Sequence, residues 1–328
     1  MDDKTFKIVL LVALPASGKS EVRKYLANID PEVLKNDLHI GENLQLDDFP
    51  YVHLMRRIDD ELSALDKERV FFQSGDKPFI NPKDWETLIQ ILNEDYEDLM
   101  NSNVLSPASA GELICSRIES AGIKAGIEPR LAIIDVEIMK TVYSKIEKES
   151  ADLLKEKHEQ YTDSFEGKTI IIEAARGGPH GSSMPLPVPF GYKHSLSCFS
   201  KEILEQAVIL YIWVTPEESR RKNNARTDPN DPGSILHHGV PIDVMMNDYG
   251  TDDMDWLEET SDKKGAITIE ADGTKFNLPI GRFDNRVDKT SFLREDKSVW
   301  PKEKVEAMHT GIKTATDKIH GLKEEVKN

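Results

Sequence analysis

The chain contains few cysteines and no long apolar run. Its 328 residues include only Cys115 and Cys198, which lie far apart and lack the C-x-x-C spacing of a zinc site. Such sparse cysteine use argues against a disulfide framework and suits a reducing compartment. No stretch approaches the roughly 18 apolar residues that a membrane span needs, and the acidic start Met1-Asp2-Asp3 does not resemble a secretory signal. We therefore expect a cytoplasmic protein without a membrane segment.

The chain also lacks a surplus of basic residues. It carries 42 lysines and arginines against 59 acidic residues, a formal net charge of -17. Proteins that bind duplex nucleic acid normally present a basic face, so this balance disfavours that class. Any anionic substrate requires a local basic cluster in such a chain. The length allows one large or two medium domains.

One short stretch near the start carries the strongest functional pattern. An apolar run over residues 8–13 leads into the stretch Ala13, Leu14, Pro15, Ala16, Ser17, Gly18, Lys19 and Ser20. This stretch fits the phosphate-binding pattern G-x-x-x-x-G-K-[ST] except at its first position, where alanine replaces glycine. A β-carbon at that position could alter the turn. Helix-forming residues follow, which completes the strand–loop–helix context that distinguishes the motif from a chance match.

The residue types in this stretch suit a nucleotide phosphate. Successive backbone N–H groups and the following helix N-terminus attract phosphate oxygens. Lys19 is predicted to contact the phosphates, and the Ser20 hydroxyl is predicted to ligate Mg²⁺. The 13–20 loop is therefore our predicted nucleotide site.

Further apolar runs predict a sheet. Residues 168–173 and 208–214 resemble buried parallel strands, and 31–37 is predicted to be a short second strand. Residues 266–278 predict a hairpin around Asp272-Gly273. Because strands alternate with helical segments, we expect an α/β fold with a parallel sheet and helices on both faces.

The helical segments suggest how the domain is organised. Apolar spacing predicts helices near 82–99, 108–121 and 130–160. We place a core at 1–75 and 165–295, a helical insertion at 76–164, and a charged, partly exposed C-terminal helix at 296–328. The insertion is either a cap on the substrate side or a bundle without substrate contact.

Candidate carboxylates follow the predicted strands, where ligands of such sheets bind. Glu173 ends an apolar strand and is predicted to support the metal, unless it is an ordinary strand-end acid. Asp37 would end the second strand and is our candidate to accept the proton of an acceptor hydroxyl. Asp47 and Asp48 compete for that role, although Asp48 also suits a helix cap.

Basic residues follow two of the strands. Arg176 lies in a Gly- and Pro-rich loop and is predicted to reach substrate or phosphate. A dense cluster after the 208–214 strand comprises Arg220, Arg221, Lys222 and Arg226. Guanidinium groups neutralise charge on transferring phosphoryl oxygens. The alternative is a solvated helix face on which Glu217 and Glu218 pair with Arg221 and Lys222 at four-residue spacing.

Two other stretches leave their role open. His237 and His238 point to different sides of an extended chain, so we expect a structured loop there and no joint metal site. The charged run 281–290 either lines a substrate pocket or forms a salt-bridged loop.

The 13–20 loop resembles that of the P-loop kinases of small molecules and nucleotides, which often carry proline at the third position and serine before Gly-Lys. The 208–214 strand followed by Thr-Pro-Glu-Glu-Ser-Arg-Arg-Lys-Asn-Asn-Ala-Arg is similar to their strand-then-lid segment. The resemblance implies a three-layer P-loop NTPase fold that binds ATP and Mg²⁺. It also implies that Arg220, Arg221 and Arg226 close over the ATP phosphates. The helical region and the residues after 240 match no family.

These observations predict an ATP-dependent kinase that transfers phosphate to a small-molecule or nucleotide acceptor. The alternative is a nucleotide-dependent switch or ATPase whose helical region binds a protein partner instead of a small-molecule acceptor. A weaker third option is a nucleotide-binding protein that no longer catalyses. The identity of the acceptor and the oligomeric state are left open.

Overall fold

The computed structural model describes residues 4–226 and 239–327, and for Arg226, Glu324 and Lys327 it describes the backbone alone. The predicted loop after Thr227 and the pair His237 and His238 lie outside the described residues.

A mostly parallel sheet forms the centre of the fold. Its strands in the described ranges are β1 (Ile8–Val12), β2 (Glu42–Asp47), β3 (Lys168–Ala174), β4 (Ala207–Trp213), β5 (Ala266–Ala271) and β6 (Thr274–Asp284). They lie in the order β2-β3-β1-β4-β6-β5. β1 runs parallel to β3 and β4, β6 runs parallel to β4, and β5 is antiparallel to β6. The predicted α/β class with a largely parallel sheet is confirmed.

The central strand explains where a ligand can bind. Every residue of β1 is buried, as expected for a parallel strand with covered faces. From β1 the chain runs outward to β2, returns to β3, and then crosses over to β4 on the other side of β1. The strand order therefore reverses beside β1, and ligands of open α/β sheets bind at the carboxyl ends of the strands at such a point.

The hairpin forms where the sequence predicts it. Asp272 and Gly273 both have positive φ, 48° and 73°, as a two-residue type I′ turn requires. β6 then extends beyond the hairpin to Asp284, so its second half pairs with β4.

Helices lie in the segments between the strands and after the last strand. Those in the described ranges are α1 (Lys19–Leu26), α2 (Pro31–Leu38), α3 (Phe49–Ala64), α4 (Asp84–Asn101), α5 (Ala110–Lys124), α6 (Val136–His158), α7 (Gly191–Ser197), α8 (Lys201–Leu204), α9 (Pro216–Arg226), α10 (Ile242–Asn247), α11 (Met254–Glu259) and α12 (Lys302–Lys327), with short 3₁₀ turns at Ser291–Arg294 and Lys297–Val299. None of these described helices is long and apolar enough to cross a membrane.

The predicted strand at 31–37 is wrong, because these residues form α2. The Asp30 carboxylate accepts a hydrogen bond of 2.8 Å from Glu32 N, and Pro31 occupies the first helical position. Both are helix-start signals, and they outweigh the short apolar run that suggested a strand. The second strand is instead β2, at the edge of the sheet.

The described chain divides into two compact units. The sheet unit comprises Met1–Gln45, Phe165–Ser197 and Lys201–Asn328, and the helical unit comprises Leu46–Ser164 and Cys198–Ser200. The helical unit therefore begins well before the predicted boundary at 76, because α3 packs against α6. The predicted separate C-terminal segment belongs to the sheet unit.

The C-terminal helix α12 is part of the core of the sheet unit. Its buried residues Met308, Ile312, Ala315 and Ile319 join a cluster that includes Phe283 of β6. The contact is close, since a β-carbon added to Gly281 would lie 2.2 Å from the backbone oxygen of Ala315. Glycine at this position thus lets the helix backbone rest on the strand.

A buried charged cluster links the four helices of the helical unit. Asp95 of α4 accepts hydrogen bonds from Tyr51 of α3 (2.9 Å), from Arg117 of α5 (2.8 Å) and from Lys157 of α6. Burial and the nearby Asp95 raise the pKa of Tyr51, whereas burial lowers the pKa of Lys157. Because buried charges are tolerated only when paired, this cluster constrains how the four helices can pack.

We predict opposite effects for two glycine-to-alanine substitutions in the β6–α12 region. Gly281→Ala should lower the free energy of unfolding by about 2 kcal/mol, because the added methyl group collides with the α12 backbone. The control Gly321→Ala meets no atom within 4 Å and lies in α12, so it should raise stability by up to about 1 kcal/mol. Urea unfolding followed by circular dichroism measures both. Equal effects of the two substitutions would contradict the close approach.

Candidate functional site

The loop between β1 and α1 has a backbone that requires glycine at one place. Gly18 has a φ of 107°, and a β-carbon there would lie 2.5 Å from the Thr290 hydroxyl oxygen. Both the left-handed backbone and the lack of space therefore exclude other residues. The second glycine of the sequence pattern thus has a physical reason in this structure.

Alanine at the first position of the pattern is compatible with the turn. Ala13 is not among the described residues with positive φ, whereas Ala16 is, at 57°. The carbonyl of Ala13 accepts a hydrogen bond of 3.0 Å from the Tyr192 hydroxyl. A residue with ordinary φ can carry a β-carbon, which removes the expected difficulty of the missing glycine.

Side chains from distant parts of the sheet unit hold the carbonyl groups of this loop. The Ser219 hydroxyl donates to Pro15 O at 2.7 Å, and Asn285 Nδ2 donates to Ser17 O at 2.7 Å. The Ser17 hydroxyl itself donates to Leu14 O. At the other end of the loop, no side chain caps the N-terminus of α1 in the described structure. Its first-turn N–H groups are the kind of donors that bind an anion.

Asn285 is the residue that sequence reasoning missed. It is fully buried, its Nδ2 also donates to the Thr290 hydroxyl at 2.9 Å, and its Oδ1 accepts from Lys289 N at 2.7 Å. The run 281–290 forms ion pairs through Arg282, Arg286 and Asp288, as the salt-bridged alternative expects, and it also packs directly on the phosphate-type loop through Asn285. Only the tertiary contact reveals this role, since an asparagine in a charged run carries no distinctive spacing.

The structure brings two of the predicted site residues together. Lys19 Nζ lies 4.0 Å from the Glu173 carboxylate, which is 3% exposed. Arg23 of α1 makes a closer ion pair with the same carboxylate, at 2.8 Å. Arg23 was not predicted, and its charge offsets part of the cost of burying Glu173. Ser20 follows Lys19 in the first turn of α1 and is partly exposed.

Arg176 belongs to the same end of the sheet. Its side chain is 2% exposed, and Nη1 donates to Ala175 O at 2.7 Å. The backbone N–H of Arg176 donates to the Tyr192 hydroxyl oxygen at 3.2 Å, and that hydroxyl in turn contacts Ala13 O. Tyr192 therefore links the Arg176 loop to the loop after β1.

The basic residues of α9 point in different directions. Arg220 Nη2 pairs with Glu217 at 3.1 Å, and Arg221 pairs with Glu218 at 2.7 Å on an exposed surface. These pairs have three-residue spacing instead of the expected four. Arg221 thus occupies the solvated face that the sequence left as an alternative. The side chain of Arg226 lies outside the described atoms.

Lys222 lies on the opposite side of α9 and is buried. Its Nζ lies 3.2 Å from the Asp288 carboxylate and donates to Asn285 O at 3.3 Å. Burial lowers the pKa of Lys222. Although burial acts in the other direction, hydrogen bonds and the Lys222 charge hold the pKa of Asp288 well below its usual range. This pair anchors α9 to the segment that carries Asn285.

Asp37 does not lie at the predicted site. Its carboxylate is 46% exposed and lies 3.3 Å from His309 Nε2 of α12. The nearby His39 O accepts from Phe6 N, which precedes β1. Asp37 therefore sits near the amino end of β1, whereas the phosphate-type loop follows its carboxyl end. The interpretation as a catalytic base depended on a second strand that is in fact helix α2.

The competing carboxylates Asp47 and Asp48 lie at the start of the helical unit. The Asp47 carboxylate accepts from Phe49 N at 3.0 Å, at the N-terminus of α3. Asp48 occupies the N-cap position, but its side chain makes no capping hydrogen bond in the described structure. The helix-start role predicted for Asp48 is thus performed by its neighbour.

A different carboxyl group lies at the carboxyl edge of the sheet. Asp252 accepts hydrogen bonds from the Tyr211 hydroxyl at 2.8 Å and from Met254 N at 3.0 Å. Tyr211 pairs with Val12 in the strand register, directly before the loop. Burial raises the pKa of Asp252 to about 6, and its charge also acts on Tyr192. Asp252 can therefore exchange a proton near neutral pH.

We predict that Asn285→Asp weakens the loop that Asn285 supports. The change replaces the donation to Ser17 O with an unfavourable contact between two acceptors in a fully buried place, and it also removes the donation to the Thr290 hydroxyl. The free energy of unfolding should fall by about 3 kcal/mol in a urea titration. The exposed Asn247→Asp on α10 is the matched control and should change stability little. A tolerated Asn285→Asp would rule out a supporting role.

We also predict a pH dependence from Asp252. Because its folded pKa of about 6 exceeds the unfolded value of 3.8, the folded state retains this proton more strongly, and stability falls as pH rises from 4 to 6. Asp252→Asn removes that fall, so the variant should gain roughly 2 kcal/mol relative to wild type across this window.

Urea unfolding at pH 4, 5, 6 and 7 measures the change. Asp272→Asn in the exposed hairpin turn is the control and should keep the wild-type pH slope. A parallel pH slope for wild type and Asp252→Asn would show that the carboxyl group is not perturbed.

Comparison with known proteins returns no match, since no family model, curated protein or solved structure is similar enough to this chain. The interpretation of the site therefore depends on the residues and contacts described above.

Proposed function

We propose that the sheet unit binds ATP with Mg²⁺ at the 13–20 loop and transfers phosphate to a small-molecule or nucleotide acceptor, as a P-loop kinase-like enzyme. The single observation that carries the proposal is the junction of β1 and α1. There Gly18 is required by its φ and by the Thr290 contact, and Lys19 faces the buried Glu173. A loop of this kind at the carboxyl end of a central parallel strand suits phosphate.

The residues present fit the proposed ligand. The uncapped N–H groups of α1 would bind phosphate oxygens, and Lys19 would add a positive charge beside them. Ser20 supplies a hydroxyl and Glu173 a carboxylate, both oxygen ligands of the kind that Mg²⁺ takes directly or through its waters. Magnesium supplies charge neutralisation on the phosphate oxygens. Arg23 would keep the Glu173 carboxylate in place through their ion pair.

On the acceptor side, Asp252 takes the role of proton acceptor that the sequence suggested for Asp37. With a pKa near 6, Asp252 is suited to accept the proton of an attacking hydroxyl group at neutral pH. Arg176 contributes a buried positive charge at the same edge of the sheet. Arg220 and Arg226 remain candidates for contact with the phosphates, whereas the exposed ion pair of Arg221 places it outside the proposed site. A cytoplasmic location is part of this proposal.

We predict that Lys19→Ala weakens nucleotide binding at least tenfold, because it removes a charge-assisted hydrogen bond to phosphate. Isothermal titration calorimetry with a non-hydrolysable ATP analogue and Mg²⁺ measures the affinity. Lys7→Ala, an exposed lysine before β1, is the matched control and should bind like wild type. Unchanged affinity in Lys19→Ala would refute the site.

A second measurement separates the kinase from the alternative ATPase. The chain is incubated with labelled ATP and a panel of hydroxyl- and phosphate-bearing metabolites. Label transfer that requires one acceptor supports the kinase. Hydrolysis that is independent of every acceptor and rises with a protein partner supports the nucleotide-dependent switch.

A further inference from the structure

One cavity in the sheet unit lies apart from the 13–20 loop. It has a volume of about 490 Å³ and lies between α7, α11 and the β5–β6 hairpin. This volume is within the usual range for sites that bind small molecules. Its apolar wall consists of Pro185, Leu186, Val188, Leu257 and Ile269. None of its lining residues belongs to the 13–20 loop, so the cavity is separate from the proposed nucleotide site.

One lysine in this cavity makes no close ion pair with a described carboxylate, although the Asp253 carboxylate acts on it at longer range. Lys193 lies on α7, and no described carboxylate approaches its Nζ within ion-pair distance. Its Nζ instead lies over the Trp256 ring, 5.0 Å from the ring centroid. The cation–π contact restricts where the ammonium group can go without neutralising it.

The cavity lining also carries Lys275, Asp262 and Glu270. Lys275 is opposite Glu270 in the hairpin register, and its Nζ lies 2.7 Å from the Asp262 carboxylate. Lys275 thus serves both carboxylates that line the cavity. The lining therefore has two ammonium groups and two carboxylates, and Lys193 is the lysine whose ammonium group no described carboxylate holds in an ion pair.

We propose that this cavity binds a small aromatic carboxylate. The aromatic body would fill the apolar wall beside Trp256, and the carboxylate would pair with the Lys193 ammonium group. The wall removes apolar ligand surface from water, and the lysine distinguishes an acid from its neutral analogue.

The test compares two probes of the same shape in the full chain. 2-Naphthoate carries the charge, and 2-naphthamide is its neutral counterpart. Isothermal titration calorimetry without nucleotide should give a dissociation constant for 2-naphthoate on the order of 1 mM, as expected for a ligand of this size. Wild type should bind 2-naphthoate about fivefold more tightly than 2-naphthamide, the preference expected from one exposed charge pair.

Three variants locate the binding. Lys193→Met should abolish the preference for the acid. Lys318→Met, an exposed lysine on α12 outside the cavity, removes the same charge and should keep the preference. Thr260→Trp places a bulky side chain in the lining and should abolish binding of both probes. Circular dichroism and urea unfolding verify that each variant is folded.

The proposal fails if the dissociation constants of both probes for wild type exceed about 10 mM, ten times the expected value. It also fails if wild type binds the two probes equally tightly. It also fails if Lys193→Met and Lys318→Met behave alike, or if folded Thr260→Trp still binds. Because nucleotide is absent from every titration, failure here is distinguishable from failure of the proposed ATP site.

Discussion

The proposed site depends on how the carbonyl groups of one buried loop are satisfied. A buried carbonyl without a partner is costly, so a tight loop between a strand and a helix needs donors from elsewhere. Here Tyr192, Ser219 and Asn285 each donate to one carbonyl of the loop. These residues lie on α7, on α9 and directly after β6, so the segments that follow three different strands converge on one turn.

The same contacts also position the loop after β3 and helix α9. Tyr192 also accepts the Arg176 N–H, which sets the Gly-rich loop after β3. Lys222 pairs with Asp288 and so holds α9 beside the segment that carries Asn285. The α9 face that points away from this contact is free to carry ordinary solvated ion pairs, as Arg221 does. The buried side of α9 thus anchors the helix to the segment after β6, and its exposed side carries ion pairs in solvent.

In the helical unit, buried charged groups are likewise satisfied by partners from separate helices. Asp95 receives hydrogen bonds from one residue on each of the other three long helices. Replacing such a cluster by apolar residues is often neutral for stability, so its value lies in the single arrangement of helices that satisfies it. This arrangement brings α3 into the unit and moves the boundary away from the one that apolar periodicity suggested.

The sequence by itself determined the strands and turns that depend on residues adjacent in the chain. The apolar runs of β1, β3 and β4 are buried on both faces, the Asp272-Gly273 turn needs two positive φ angles, and Gly18 must be glycine. Tertiary structure alone decided what is near the loop. Asp37 lies near the amino end of β1 and not at the loop, because residues 31–38 form helix α2 where a strand was predicted. Tertiary structure also brought Asn285 and Arg23 to the site, since contacts between residues far apart in sequence leave no spacing pattern to read.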